Sequence, residues 1–327
     1  MKRRALGLLL AALAGPDAVW AQPAQHPARI GFLGGIAPDA NVRRSMIDPF
    51  EAALRARGHV LGRNLDIDYR WAAGRPDRLP ALLDELLRLQ PDLLVTAGPR
   101  PAMVAKASLR SVPVLAAAVD DPVQMGLAES FARPGGNITG ISSFGIELVA
   151  KRLQLLKELV PAARRLAVLM NPATSTRQVL ERYLSGYEKT LDVTIQVVEA
   201  GDPAQFDAAF AALARERAQG LVVLADATFY THRARLAALC RQQRLPSVWG
   251  GRDYLPGGGL ASYQSDFAAI FGRAGEMASL ILAGARPAEM PFEQATKLEL
   301  VVNLEAARAL GLTVPQALLL SADEVMP

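Results

Sequence analysis

The sequence predicts an α/β fold of two doubly wound, parallel-sheet lobes joined by hinge strands. Short apolar runs alternate with amphipathic helical patterns along nearly the whole chain, which is typical of parallel sheets covered by helices on both faces. The pattern starts again after Gly135-Gly136, and strand-end loops recur near positions 34, 97 and 119 and near 171, 226 and 250. A chain of 327 residues can form two domains of ordinary size. A single large sheet is the alternative, and the glycine break argues against it.

The first 21 residues are predicted to be a secretory signal peptide. Lys2–Arg4 is a basic region, Ala5–Ala14 is apolar, and cleavage is expected before Gln22. The apolar run, about ten residues, is shorter than the ~20 that a transmembrane helix needs. An uncleaved membrane anchor is the alternative, but Gly15-Pro16-Asp17 interrupts the run. The single cysteine, Cys240, lies far from this leader, so we expect a periplasmic protein with neither a lipid anchor nor an internal disulfide.

In the first half, each apolar run is predicted to be a strand that leads through a loop into a helix. Glycine favours the left-handed conformation that ends a helix, so Gly58 is expected to end the first one. The predicted strands are Arg29–Leu33, Asn64–Tyr69, Asp92–Thr96, Val114–Val119 and Ile138–Ile141, and the predicted helices are Ser45–Arg57, Asp77–Leu89 and Pro101–Leu109.

The second half repeats this alternation, and a tail follows it. Predicted strands are Arg165–Met170, Val193–Val198, Gly220–Ala225 and Ser247–Trp249, with helices at Glu147–Val160, Arg177–Tyr187, Phe206–Arg217 and Thr231–Gln243. The tail has a long helix, Phe267–Leu282, and a strand, Lys297–Val302, and is expected to return to the first lobe and then the second. The predicted N-terminal lobe is 29–141 with about 260–286, and the C-terminal lobe is 142–259 with about 287–327. Several crossings of this kind favour a closing motion.

Composition and motifs exclude several classes of protein. The chain is 51% hydrophobic and 21% charged, so it is globular. Without the leader, 33 basic residues stand against 31 acidic ones (36 − 3 and 32 − 1), so no nucleic-acid partner is expected. His26, His59 and His232 lie apart, which argues against a metal site. Nucleophile-elbow and phosphate-loop motifs are missing from the sequence. We therefore predict no catalytic residues, no metal and no cofactor.

Polar residues follow the predicted strands in both halves, where an α/β sheet places its ligand. In facing lobes these loops would meet in one cleft. Helix starts there offer N–H groups to an anion, an Asp can hold an ammonium group, and aromatic rings can enclose apolar parts. Such groups suit binding better than catalysis. The candidate ligand-binding residues are Gly34, Gly35, Thr96, Gly98, Asp120, Asp121, Asn171, Thr174, Ser175, Asp226, Trp249, Arg252 and Tyr263.

Several of these candidates have a purely structural alternative. Thr174 and Ser175 are also good helix N-caps, and either aspartate of the pair 120–121 can cap the short helix that Pro122 is predicted to open. Trp249 fits the core as well as a cleft.

The stretch VDDPVQMGLAESFARPGGNITGIS, residues 119–142, resembles a motif of the tryptophan-type ABC-transporter substrate-binding proteins. The common form there is Gly-Asp-Pro followed by A-R-P-G-G-N-x-T-G. The likeness extends over roughly Arg29–Val325 and includes GHVLGRNLDIDYRW, KRLQLLKELVP and TKLELVVNLEAARALGLTVP. It implies a type I periplasmic binding protein fold, in which two lobes close on a small molecule such as an aromatic amino acid.

Four departures from the family pattern fall at the expected ligand loops: Met170 replaces a frequent Trp, Gln264 replaces a Gly after Tyr263, and the other two introduce charged residues. Asp120 replaces the usual Gly and adds a carboxylate. Gly98-Pro99-Arg100-Pro101-Ala102 replaces a usual Gly-Thr-Pro-Ala, so Arg100 stands where a hydroxyl often lies and joins the candidate ligand-binding residues.

From these observations we expect an exported solute-binding protein that captures an amino acid or related carboxylate and delivers it to an ABC permease in the inner membrane. It is expected to act as a monomer. Two alternatives remain open at this point: an exported α/β hydrolase or lyase that uses Asp121 or Asp226 as a base, and a module that presents ligand to a membrane receptor.

Overall fold

The structure is a computed structural model that describes residues 27–108, 111–174 and 177–327. The predicted signal peptide lies outside the described residues. Within these ranges, none of the helices has both the length and the apolar character needed to cross a bilayer.

The first lobe is built on a six-stranded parallel sheet whose strands lie in the order β11 (Glu293–Gln294), β5 (Ile138–Ser142), β4 (Val114–Val119), β3 (Leu93–Ala97), β1 (Ala28–Gly34) and β2 (Leu65–Trp71). Helices cover both faces of this sheet. A π-helical turn, Arg43–Ile47, joins the first two helices, and a 3-10 turn, Pro76–Arg78, precedes the third. The elements are β1 (Ala28–Gly34), α1 (Ala40–Val42), α2 (Asp48–Ala56), β2 (Leu65–Trp71), α3 (Leu79–Arg88), β3 (Leu93–Ala97), α4 (Pro99–Ser108), β4 (Val114–Val119) and β5 (Ile138–Ser142).

The second lobe is built on a seven-stranded sheet with the order β13-β12-β10-β9-β8-β6-β7, in which β12 is antiparallel to β10. The elements that follow β5 in the chain are α5 (Val149–Leu159), β6 (Arg165–Met170), α6 (Arg177–Leu184), α7 (Tyr187–Leu191), β7 (Thr194–Glu199), α8 (Phe206–Arg215), β8 (Gly220–Val223), α9 (Ala227–Thr231), α10 (Arg233–Gln242), β9 (Ser247–Trp249), β10 (Ala261–Ser265), α11 (Phe267–Leu282), β11 (Glu293–Gln294), β12 (Leu298–Asn303), α12 (Leu304–Leu310), α13 (Gln316–Ser321) and β13 (Glu324–Met326). Of these, α11 and β11 belong to the first lobe.

Each sheet separates two apolar layers, because successive side chains of a strand point to opposite faces. In β1, Ile30 and Phe32 pack beneath α2 and α11, whereas Leu33 packs on the face covered by α3 and α4. In β6, Leu166 and Val168 likewise face α5 and α6. Burial on both faces explains why the strands are nearly continuous apolar runs. The predicted fold of two parallel-sheet α/β lobes is confirmed.

Three chain segments cross between the lobes side by side. The first follows β5, the second joins β10 to α11, and the third joins β11 to β12. The Ser265 hydroxyl donates to the Ser143 carbonyl at 2.6 Å, and the Ala295 N–H donates to the Ser142 carbonyl at 2.8 Å. The Asp266 N–H donates to the Lys297 carbonyl at 2.9 Å. These bonds tie the crossings into one short ribbon.

The second crossing differs from the expected boundary near residue 260. Strand β10 pairs with β9 and β12 of the second sheet, so the chain returns to the first lobe only after Ser265. The two residues of β11 pair with β5, so the first lobe also includes part of the segment that was expected in the second. Sequence periodicity indicates a strand but not the sheet it joins.

Cys240 lies on α10 and is 1% exposed, in the apolar layer that α8 and α10 form against the second sheet. Burial raises the pKa of its thiol to about 12. Because the thiolate is the reactive form, this cysteine is chemically inert near neutral pH.

Candidate functional site

A cavity of about 460 Å³ lies between the lobes, at the carboxyl ends of the strands of both sheets. Loops after β1, β3 and β4 line it from the first lobe, and loops after β6, β8 and β9 line it from the second. Its volume falls in the range of pockets for small organic ligands.

Eight predicted residues line this cavity. They share one origin, because each lies in or near a loop at the end of a parallel strand, and such loops meet at one edge of a sheet. They are Gly35, Gly98, Arg100 and Asp120 in the first lobe, and Asn171, Thr174, Asp226 and Arg252 in the second.

Three predicted residues of the first lobe lie behind the cavity lining. Thr96 is fully buried one residue before the lining begins. Gly34 lies under the Trp71 ring, which would be 2.2 Å from a Cβ atom at that position. Asp121 accepts the N–H groups of Val123 at 2.8 Å and Gln124 at 3.0 Å, so it caps the turn after Pro122.

The two predicted aromatic residues do not reach the cavity. Trp249 is fully buried because β9 is a central strand, and its Nε1 donates to the Ser247 hydroxyl at 2.8 Å. Tyr263 lines a separate groove on the second lobe with Lys151 and Leu318. Ser175, the remaining predicted residue, lies outside the described residues.

Other aromatic side chains line the cavity instead. They are Tyr230 on α9, Tyr254 on the 3-10 helix after β9, and Phe267 and Phe271 on α11. Tyr254 stacks on Trp249 with ring centroids 4.8 Å apart, so Trp249 supports the lining from behind. Tyr230, Tyr254 and Phe271 lie beyond the strand-end loops that were searched, and Phe267, two residues after β10, was predicted only as the start of a helix. Two aromatic residues four apart at a helix start, Phe267 and Phe271, were the available signal.

Two polar groups of the second lobe are already paired. Asp226 accepts the N–H groups of Thr228 at 2.8 Å and Phe229 at 3.1 Å, and thus caps α9. It also accepts the Thr174 hydroxyl at 2.6 Å. Arg252 pairs with Glu299 at 2.9 Å and with Glu324 at 2.5 Å. These side chains shape the second-lobe wall through bonds within the lobe.

Arg100 and Asp120, in contrast, have unused binding capacity. The Arg100 Nε atom is buried and has no hydrogen-bond partner in the described part of the chain. Asp120 takes part in none of the ion pairs formed among residues 27–108, 111–174 and 177–327. The backbone N–H groups of Ile146 and Gly145, on the first crossing, lie near its carboxylate and lower its pKa. Both side chains can therefore bind a group inside the cavity.

The lobes are closed over the cavity by an interlobe latch, which consists of Asp39 and Gly74 of the first lobe and Thr228, Tyr230 and Arg233 of the second. Arg233 Nη2 lies 2.5 Å from Asp39 Oδ2, and the guanidinium covers the Tyr230 ring at 4.3 Å. The Thr228 hydroxyl donates to the Gly74 carbonyl at 3.3 Å. Burial alone would raise the pKa of Asp39, but the Val42 N–H and Arg233 hold it below its ordinary value.

Arg233→Ala is expected to open the lobes, because it removes the charged pair that crosses the cleft. A partly buried ion pair contributes on the order of 1 kcal/mol, so the ratio of closed to open molecules should fall roughly fivefold. Small-angle X-ray scattering of the unliganded protein would show a larger radius of gyration. Arg235→Ala is the control, since Arg235 pairs with Asp207 inside the second lobe. Equal scattering curves for both variants would contradict a role for the latch.

Residues 39–326 match the family model described as ABC transporter substrate binding protein. The chain belongs to this family. Family membership makes it a binding protein of the transporter type and not an enzyme, in agreement with the resemblance found in its sequence.

This substrate-binding protein is similar to several characterised proteins. It is 25% identical to a tyrosine-binding protein of Clostridioides difficile over 278 residues, which cover 84% of this chain and 78% of the relative. An ABC domain from Streptococcus pneumoniae in complex with L-Trp has a TM-score of 0.84 and 21% identity, covering 92% of this chain and 100% of that one. The ligand-free, open structure of a substrate binding protein with adhesive properties from Clostridium difficile has a TM-score of 0.66 and 22% identity, covering 91% and 99%.

Proposed function

We propose that the protein captures a small molecule in the interlobe cavity and delivers it to an ABC permease in the inner membrane. The observation that carries this proposal is a cavity of about 460 Å³ formed jointly by strand-end loops of two lobes and closed by the latch. A ligand held by both lobes would stabilise the closed form over the open form. The ligand class that we propose is an amino acid or a related carboxylate, in line with the tyrosine-binding and L-Trp-bound relatives.

The opening and closing motion that we propose for the two lobes follows from the three crossings. The two lobes would turn as units about this ribbon, and opening would break the latch and the hydrogen bond from Gln124 Nε2 to the Tyr183 hydroxyl at 3.1 Å. The eight lining residues would contact ligand. A monomer in the periplasm, exported by the predicted leader, would then present its closed form to the permease.

A ligand screen tests this function. The protein beginning at Gln22 would be mixed with the twenty amino acids, aromatic carboxylates, sugars and amines, and its thermal unfolding measured. A ligand present at about 100 times its dissociation constant should stabilise the protein by ~2.7 kcal/mol. The stabilised complex should also give a smaller radius of gyration where the free protein is open. Stabilisation by none of these compounds would contradict the proposal.

A further inference from the structure

The end of β4 is a negatively charged corner of the cavity. We define this acidic corner as Asp120 and Glu147 with Arg152 behind them. Asp120 lines the cavity, Glu147 repels its carboxylate, and Arg152 is the nearby cation that attracts it. Two carboxylates thus lie near one guanidinium that attracts both of them without forming an ion pair with either.

The position of the Asp120 carboxylate is fixed by the chain around it. A Cβ atom on Gly145 would lie 2.1 Å from Asp120 Oδ1, so only glycine at this position leaves room for the carboxylate. The backbone N–H groups of Ile146 and Gly145 lie on that side and favour the ionised form of the carboxylate, since they lower its pKa. The close approach to Gly145 keeps the carboxylate at the cavity lining.

The guanidinium of Arg152 donates its hydrogen bonds to backbone carbonyls and not to the two carboxylates. Arg152 is 1% exposed, its Nε donates to the Tyr263 carbonyl at 2.8 Å, and its Nη1 donates to the Gly145 carbonyl at 3.1 Å. It forms no ion pair within 4.0 Å among the residues described. The Oε2 atom of Glu147 is buried and lacks a partner in the described ranges. The negative charge of the corner is therefore only partly balanced by the protein.

The pKa of Asp120 is consistent with this incomplete balance of charge. Burial, followed by repulsion from Glu147, raises the pKa of Asp120 to about 6 in spite of Arg152. A carboxylate whose pKa is raised gains from a further cation beside it, because an opposite charge favours the ionised form.

We propose, on the basis of the function above, that the ligand carries a protonated amine or another cationic nitrogen and that Asp120 selects for it. The selected group donates charge-assisted hydrogen bonds to the Asp120 carboxylate, which the low-polarity surroundings strengthen. Arg100 follows β3, the strand next to β4, and its unpartnered Nε offers a donor for an acceptor group of the same ligand. A neutral sugar or a simple carboxylic acid satisfies Arg100 but leaves the acidic corner unbalanced.

Matched probes test this inference by isothermal titration calorimetry at pH 7.5. One set is L-tyrosine, tyramine and 3-(4-hydroxyphenyl)propionate; the other is L-tryptophan, tryptamine and indole-3-propionate. L-lysine, putrescine, benzoate and glucose complete the panel. We expect every binder to carry an amine. Removing the amine from a binder should weaken its affinity roughly 10- to 100-fold, as the loss of a hydrogen bond to a charged group does.

Two variants assign the effect to Asp120. Asp120→Asn keeps the shape of the side chain and removes its charge, and it should weaken amine binding by the same roughly 10- to 100-fold. Asp121→Asn is the matched control, because Asp121 caps the adjacent turn outside the cavity. It should leave amine binding unchanged. Thermal unfolding of unliganded Asp120→Asn should occur at or above the wild-type temperature, since the variant removes a buried, poorly balanced charge.

The outcomes separate this inference from the proposed function. Tight binding of benzoate, glucose or an amine-free arylpropionate, without binding of the matched amines, would overturn the cationic-ligand inference and leave solute binding intact. Equal amine affinity in wild type and Asp120→Asn would also overturn it. A failure of all probes would contradict both proposals.

Discussion

Arg152→Met is expected to lower the free energy of unfolding by about 3 kcal/mol. The side chain is fully buried, and it donates to carbonyls in two of the three segments near the crossings, those of Tyr263 and Gly145. Its loss leaves both acceptors unpartnered, and a buried unsatisfied group costs ~1–3 kcal/mol. The carboxylates of Asp120 and Glu147 also lose the positive charge of Arg152, which attracts both of them. Methionine fills a similar volume, so a cavity contributes little to this loss.

Urea unfolding followed by circular dichroism measures this loss. Lys151→Met is the control, since the neighbouring side chain lies partly exposed at the outer groove. The double variant Arg152→Met with Asp120→Asn should recover part of the stability, because it removes a charge that has become unbalanced. Burial lowers the pKa of Arg152 to about 10, so the guanidinium stays protonated near neutral pH. At that pH, Arg152→Met therefore removes a full positive charge from the wild-type protein. A loss below about 1 kcal/mol would show that Arg152 is dispensable.

Amine affinity is expected to fall about tenfold between pH 7.5 and pH 5. Binding of a cation at Asp120 requires the ionised carboxylate, and with a pKa of about 6 only about one molecule in ten is ionised at pH 5. The charged and titratable groups near this carboxylate include Glu147, Arg152, the neighbouring Asp121 and, further out, Tyr183. Glu147 also has a raised pKa, through burial, so it reinforces the same direction of change.

The stability of the unliganded protein should respond to pH in the opposite direction. The folded-state pKa of Asp120 lies above its unfolded value, so its contribution to stability is fully present below about pH 4 and is lost as pH rises through about 6. Calorimetric titration of the tightest-binding amine from pH 5 to 7.5, with thermal unfolding of the free protein over the same range, measures both trends. Asp120→Asn should flatten each of them. A wild-type affinity that is independent of pH would exclude Asp120 as the cation-binding group.

The fold could be predicted from the sequence because buried parallel strands and amphipathic helices leave strong, local patterns. The eight cavity residues could be predicted for the same reason, since the end of a parallel strand fixes where its loop lies. Trp249 was misplaced because an aromatic residue at a strand end fits either a core or a cleft. Its burial in the core follows from the central position of β9 in the sheet, which the local sequence does not indicate. Tyr263 was misplaced because successive side chains of a strand point to opposite faces, so an error of one position moves a side chain to the other face of the sheet.

Contacts between distant segments could not be predicted from local pattern. Arg152 looks like an ordinary charged residue on an amphipathic helix, yet it meets Tyr263, more than a hundred positions away in the chain. The latch joins Asp39 to Arg233, and nothing near either residue indicates the other. Lining residues such as Tyr230 and Phe267 lie on helices of different lobes, so only the assembled lobes bring them to one cavity.

The inert Cys240 makes this chain convenient for fluorescence work. Because the only native thiol is buried and protonated, maleimide dyes would modify only the cysteines that are introduced at exposed positions. Arg75 lies exposed next to the first-lobe side of the cleft mouth, and Arg235 lies exposed on the opposing helix α10. A donor and an acceptor dye at these two positions would convert lobe closure into an energy-transfer signal without removal of any natural residue from the core.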